Sequence, residues 1–176
     1  MTKSLGALRF ITTLVLTTLA ASQQPSASKQ VPKPSQIMNA KTVFIANAGG
    51  EGYSATKEPQ PTPDPEYAYD QFYPAMKSWG RFDLTDDPSR ADLVFEIRLK
   101  RGMFLYNDGV PPTWDYQIRL KILDSKTHFT LWGFNEHVKW ASRTADMNEN
   151  IDHTVAALIN DVKQLVSSST SDKPVH

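Results

Sequence analysis

Three stretches of the chain alternate apolar and polar residues with a period of two. Residues 92–100 place Leu93, Phe95, Ile97 and Leu99 on one side. Residues 115–123 do the same with Tyr116, Ile118, Leu120 and Ile122, and residues 130–140 with Trp132, Phe134, Val138 and Trp140. Such alternation marks strands with one buried face and predicts antiparallel pairing. The turn residues Asp124-Ser125-Lys126-Thr127 join the last two stretches into a hairpin. Residues 42–46 (TVFIA) form a short apolar first strand, residues 47–64 a long loop, and residues 82–84 a brief second strand.

Two segments follow helical periodicity instead. Asp64-Pro65-Glu66 is a helix start, with a capping side chain, a proline for the first turn and an acid near the positive dipole end. Tyr69, Phe72, Tyr73, Met76 and Trp79 then recur at helical spacing up to Gly80. Pro74 interrupts that run, so the helix either kinks there or begins later with Asp70 as its cap. Near the carboxyl end, Asp146 with Glu149 resembles a capping box, and Ile151, Val155, Leu158, Ile159, Val162 and Val166 make one apolar stripe. The predicted order is β-α-β-β-β-β-α. It describes an α+β two-layer sandwich, one mostly antiparallel sheet of about five strands covered by two helices. The first β-α-β unit is expected to be right-handed if its strands are parallel.

Ahead of this pattern, residues 1–22 have the three parts of a secretory signal peptide. Lys3 and Arg9 make the positive start, an apolar run spans 10–19, and Ala20, Ala21 and Ser22 offer cleavage after Ala20 or Ser22. The run falls short of the ~20 residues that cross a bilayer, so no transmembrane anchor is expected after cleavage. Residues 23–40 are rich in Ser, Gln, Pro and Lys and read as a flexible spacer. One domain is then expected over 41–167, followed by a loose polar tail over 168–176. A periplasmic or secreted location follows from the leader. The chain holds no cysteine, which excludes disulfides, thiolate metal sites, a cysteine nucleophile and a lipidated anchor residue. Loss of Lys3 and Arg9 with the leader takes 19 basic residues to 17 against 19 acidic, a net of −2, so no global field favours nucleic acid.

The chemical motifs are sparse. Gly50-Glu51-Gly52-Tyr53-Ser54-Ala55 fits a loose G-x-G-x-x-A after a strand, but the proline-rich residues that follow cannot supply the helix a dinucleotide needs. His128, His137, His153 and His176 lack metal-ligand spacing, and no nucleophile-elbow motif occurs. No cofactor, metal or catalytic set is assigned. Glu136 alone stands out, because strand parity points its carboxylate toward the core, as for a general acid, unless a bulge after Gly133 turns it outward or a basic residue pairs with it. The opposite sheet face carries Glu96, Arg98 and Lys100, then Gln117, Arg119 and Lys121, then Asn135, His137 and Lys139. Five fixed positive charges there face one negative, and the face lacks the aromatics that stack single-stranded nucleic acid. Residues 102–114 form a long link carrying Met103, Phe104, Leu105 and Tyr106, which either mark a partner site, fold back to cap the core, or lengthen the hairpin strands.

The blocks TVFIANAGG, YDQFYPAMKSWGRFDL, ADLVFEIRL and LWGFNEHVKWA, behind a signal peptide, resemble a set of uncharacterised exported bacterial proteins. At the level of pattern, residues 41–166 also resemble the TolB amino-terminal domain and activators of penicillin-binding proteins. The resemblance implies a non-catalytic binding or assembly role, though this chain lacks the lipidation cysteine of the lipoprotein members. The expectation is a binding or accessory module of the cell envelope. Its candidate partner residues are Arg98, Lys100, Arg119, Lys121, Lys139, Phe104 and Tyr106, and its partner an envelope protein or an anionic envelope polymer, with no nucleic acid. The alternatives are a small exported hydrolase using Glu136 and a structural or stress-related protein without a specific ligand.

Overall fold

A computed structural model describes residues 32–51, 62–104 and 113–167. The expected signal peptide, the first part of the expected spacer and the expected tail lie outside them. The elements are α1 (Ser35–Asn39), β1 (Thr42–Glu51), α2 (Tyr67–Trp79), β2 (Asp83–Leu84), a 3-10 turn (Pro88–Arg90), β3 (Leu93–Phe104), β4 (Thr113–Asp124), β5 (Thr130–Val138) and α3 (Thr144–Ser167). The predicted order of strands and long helices is the observed one, with α1 in addition. The five strands form one sheet in the order β2-β1-β3-β4-β5. The long pairings β3–β4 and β4–β5 are antiparallel, and β1 runs parallel to both β2 and β3, so the sheet is mixed.

One sheet face is packed under α2 and α3. Val43 and Ile45 of β1, Leu93, Phe95, Ile97 and Leu99 of β3, and Tyr116, Ile118, Leu120 and Ile122 of β4 are buried there. Phe72 and Met76 of α2 and Met147, Ile151, Leu158 and Val162 of α3 close over them. Each such side chain contributes roughly 1.5–3 kcal/mol on leaving water, which lets a domain without disulfides stand on its core. Pro74 lies inside α2 on its exposed side, where the carbonyl of exposed Asp70, deprived of its donor, is open to water, and the helix runs unbroken from Tyr67. It starts at Tyr67, later than the Asp64 cap predicts, with Glu66 as N-cap, and the Asp64 carboxylate accepts from the Glu66 amide at 3.0 Å in the turn ahead of the helix. It stops at Gly80, whose φ of 66° is the left-handed conformation that favours glycine.

Four further expectations need correction. Residues 32–40 were assigned to the spacer by composition, yet they carry α1, and Ile37 is 0% exposed. Lys33 Nζ donates to the carbonyls of Gln164 and Leu165 at the end of α3, and Arg81 donates to those of Met38 and Ala40, so both ends of this short segment are tied down. The first strand does not stop at residue 46. One extra residue between Asn47 and Gly50 makes a bulge, with Gly49 at φ 66°, and pairing resumes with Gly50 opposite Leu99. Asp146 is not the cap of α3. It lies in the first turn, where Arg143 donates to both its carboxylate oxygens. Trp140 leaves the core face, because β5 ends at Val138 and the indole is 51% exposed.

Asp92 fastens the parallel edge of the sheet. Its Oδ2 accepts from the amides of Lys41 and Thr42 at 2.8 and 2.9 Å. These two bonds hold its carboxyl below the usual carboxylate range. Asp124 plays the same part in the β4–β5 turn, where the Thr127 amide and hydroxyl lower its pKa.

Candidate binding face

The second sheet face has no helix over it among the described residues. Strand alternation and register order it into rungs. Ala46, Glu96, Lys121 and Gly133 make one rung, Arg98, Arg119 and Asn135 the next, and Glu51, Lys100, Gln117 and His137 a third. Four of the seven candidate residues, Arg98, Lys100, Arg119 and Lys121, are therefore brought together on two neighbouring strands about 4.8 Å apart.

Within this patch the charges are unevenly balanced. Glu96 Oε1 sits 3.3 Å from Arg98 Nη2 and 3.6 Å from Lys121 Nζ, so one carboxylate serves two cations. Arg119 is directly opposite Arg98, and no acid pairs with it among the described residues. Like charges in directly opposite positions cost a sheet a few tenths of a kcal/mol or more. A guanidinium can grip a carboxylate or phosphate through two N–H bonds.

Beside the cations runs a polar chain that residue pattern did not reveal. Asn135 Nδ2 donates to Gln117 Oε1 at 2.8 Å, Gln117 donates on to Asp115, and Asp115 Oδ1 lies 3.0 Å from His137 Nδ1. Asp115 is the first residue of the predicted strand, and parity with Gln117 places it on the open face. Extending the alternation backward from Gln117 would have found it. The face thus presents four fixed cations against Glu96 and Asp115, with Glu51 of β1 opposite Lys100 in register, fewer net charges than the sequence suggested. Lys139 is lost from it because β5 stops one residue earlier, and the carbonyl of Lys139 accepts from Asn150 of α3.

The remaining candidates fall elsewhere. The β3–β4 hairpin is longer than predicted, with Gly102 opposite Asp115 and Phe104 opposite Thr113. Only the backbone of Phe104 is described, and Tyr106 lies outside the described residues. Gly50 and Glu51 belong to β1, and the rest of the G-x-G-x-x-A stretch is likewise outside. Glu136 stands opposite Ile118 on the helix-covered face, half-buried at the sheet edge, and no bulge follows Gly133. No hydrogen bond or ion pair joins it to another titratable group among the described residues. No cluster of three metal-ligating side chains occurs among them either, and none of their helices is long and apolar enough to cross a membrane.

No protein-family model matches the chain, and no curated protein matches it by sequence. Solved structures that the chain resembles in part include the PelC dodecamer from Paraburkholderia phytofirmans, 13% identical, covering 75% of this chain and 93% of that one at a TM-score of 0.44. A Xanthomonas campestris protein of family DUF330 is 15% identical over 77% of this chain and 87% of its own, at 0.45. Lipoprotein GNA1162 from Neisseria meningitidis is 11% identical over 70% and 99%, at 0.37.

Proposed function

We propose that this chain is an exported, non-catalytic binding module of the bacterial cell envelope, and that the open sheet face is where it takes an anionic envelope polymer. The observation that carries this reading is the rung in which Arg98 and Arg119 oppose each other with no helix above them. Glu96 offsets Arg98 from one side, and an anion laid across the rung would meet Arg119 as well. The leader sequence supports export, and the absence of a lipidation cysteine supports a free periplasmic or secreted form. The polar chain from Asn135 to His137 adds donors and acceptors suited to the hydroxyl groups of a polymer. The resemblance to envelope families such as the TolB amino-terminal domain rests on the sequence blocks quoted above and points the same way.

The test uses the mature chain from Gln23 and two defined polyanions, polygalacturonate for carboxylates and polyphosphate for phosphates. Binding is measured by calorimetry at two salt concentrations. The expected result is salt-sensitive binding of at least one polymer, lost tenfold or more in the folded double variant Arg98→Glu/Arg119→Glu and unchanged in Glu136→Gln. Equal binding by parent and double variant would remove the open face from consideration. Absence of binding, together with a hydrolytic activity that Glu136→Gln abolishes, would favour the exported hydrolase instead.

A further inference from the structure

On the opposite side of the molecule, α2 and α3 leave an open groove of about 470 Å³ between them. Its α3 wall is made by Asp152, Val155, Ala156, Ile159, Asn160 and Lys163. The spacing of these positions, three then one residue repeated, keeps them on a single stripe of the helix. Val155 and Ile159 lie at the floor, 3% and 6% exposed, whereas Asp152, Ala156 and Asn160 are exposed at the rim. The stripe is acidic at one end and basic at the other. The Tyr67 phenol lies beside Asp152, and burial and that carboxylate push its pKa up. Lys163 Nζ is 5.7 Å from the centre of the Trp79 ring. Neither Asp152 nor Lys163 forms an ion pair among the described residues.

Read backward, the stripe is complementary to itself. An antiparallel copy of α3, related by a twofold axis midway between Ala156 and Ile159, sets Asp152 against the partner's Lys163 and Lys163 against the partner's Asp152. The same operation sets Ala156 against the partner's Ile159, small against large, and Val155 against the partner's Asn160. A parallel copy would bring like charges together at both ends. We infer that the groove between α2 and α3 is occupied by a second copy of this chain, in an isologous dimer built on antiparallel α3 helices. Exposed Ala156 at its centre allows the close approach that helix packing needs. The inference is independent of the polyanion reading. It leaves both open sheet faces outward, so a dimer would offer two binding faces to one polymer.

Sedimentation equilibrium on the mature chain tests this, with the average mass expected to climb toward twice the monomer value over about 1–500 µM, the range of a small interface. Asp152→Lys and Lys163→Asp, each alone, place like charges together and are expected to weaken association tenfold or more. The double variant restores opposite charges and should recover to within about threefold of the parent. Ala156→Arg, at an exposed position, should abolish the dimer while circular dichroism stays unchanged. In this cysteine-free chain, Asp152→Cys/Lys163→Cys should oxidise to a covalent dimer. The two sites are about 16 Å apart along one helix, beyond the ~7 Å that a disulfide spans within a chain. A mass that stays monomeric throughout, an association indifferent to Ala156→Arg, or a folded double variant as weak as the singles would each overturn the inference.

Discussion

Ile37 gives the sharpest test of where this domain begins. It belongs to a five-residue helix in a stretch whose composition reads as linker, yet its side chain is 0% exposed and joins the core cluster. Ile37→Ala removes three carbons from that core, and at ~0.8 kcal/mol for each buried methylene the transfer loss alone is about 2.4 kcal/mol. A cavity adds to this wherever the surroundings cannot collapse. Lys33 and Arg81 hold both ends of the segment, so collapse is restricted, and the expected total is about 3 kcal/mol, within the range of such truncations. At roughly 4 °C per kcal/mol for a domain of this size, the melting temperature should fall by about 12 °C. Urea unfolding of the mature chain, followed by circular dichroism, measures the change with the slope expected to stay constant. Gln36→Ala, one residue away and exposed, is the control and should move stability by less than about 0.5 kcal/mol. If Ile37→Ala is as silent as the control, α1 is not docked in solution and the linker reading of residues 32–40 is right.

Other consequences follow from the same geometry. Arg119→Gln removes the repulsion with Arg98 and should raise stability by about 0.2–1 kcal/mol in thermal unfolding while polyanion affinity drops. A variant that loses both stability and affinity would sink that trade-off. Gly80→Ala meets no atom within 4 Å, so its cost is backbone strain alone, about 1–2 kcal/mol by chemical denaturation. Asp92 and Asp124 have carboxyl pKa values lowered in the folded state, so their contribution is fully present above the unfolded value near ~3.9 and is lost as pH falls through the lower folded values. Melting temperature measured from pH 7 to pH 2 should therefore drop below about pH 4, and Asp92→Asn should begin lower and show a shallower acid fall. An equally steep fall in that variant would mean the bonds from Lys41 and Thr42 are not what acid breaks.

Local chemistry made much of the architecture legible. Residues 93–99 and 116–122 alternate without a break, and period-two alternation leaves little choice about which side is buried. Gly80 and the Asp64 turn marked the limits of α2 for the same kind of reason, since capping depends on residues a few positions apart. What the alternation could not reveal was pairing. That β1 lies between β2 and β3, parallel to both, and that Arg98 meets Arg119 are matters of register, fixed by long-range contacts across the sheet. Ile37 was hidden because a few apolar residues among prolines and polar ones show no periodicity, and only packing into the core cluster gave it a place. Lys139 and Trp140 were misplaced because alternation continues in sequence past the point where the strand ends. Composition and pattern thus determined the layers and the presence of a charged face. The rungs of that face, the opposition of Arg98 and Arg119 and the groove between α2 and α3 exist only once distant segments are packed together.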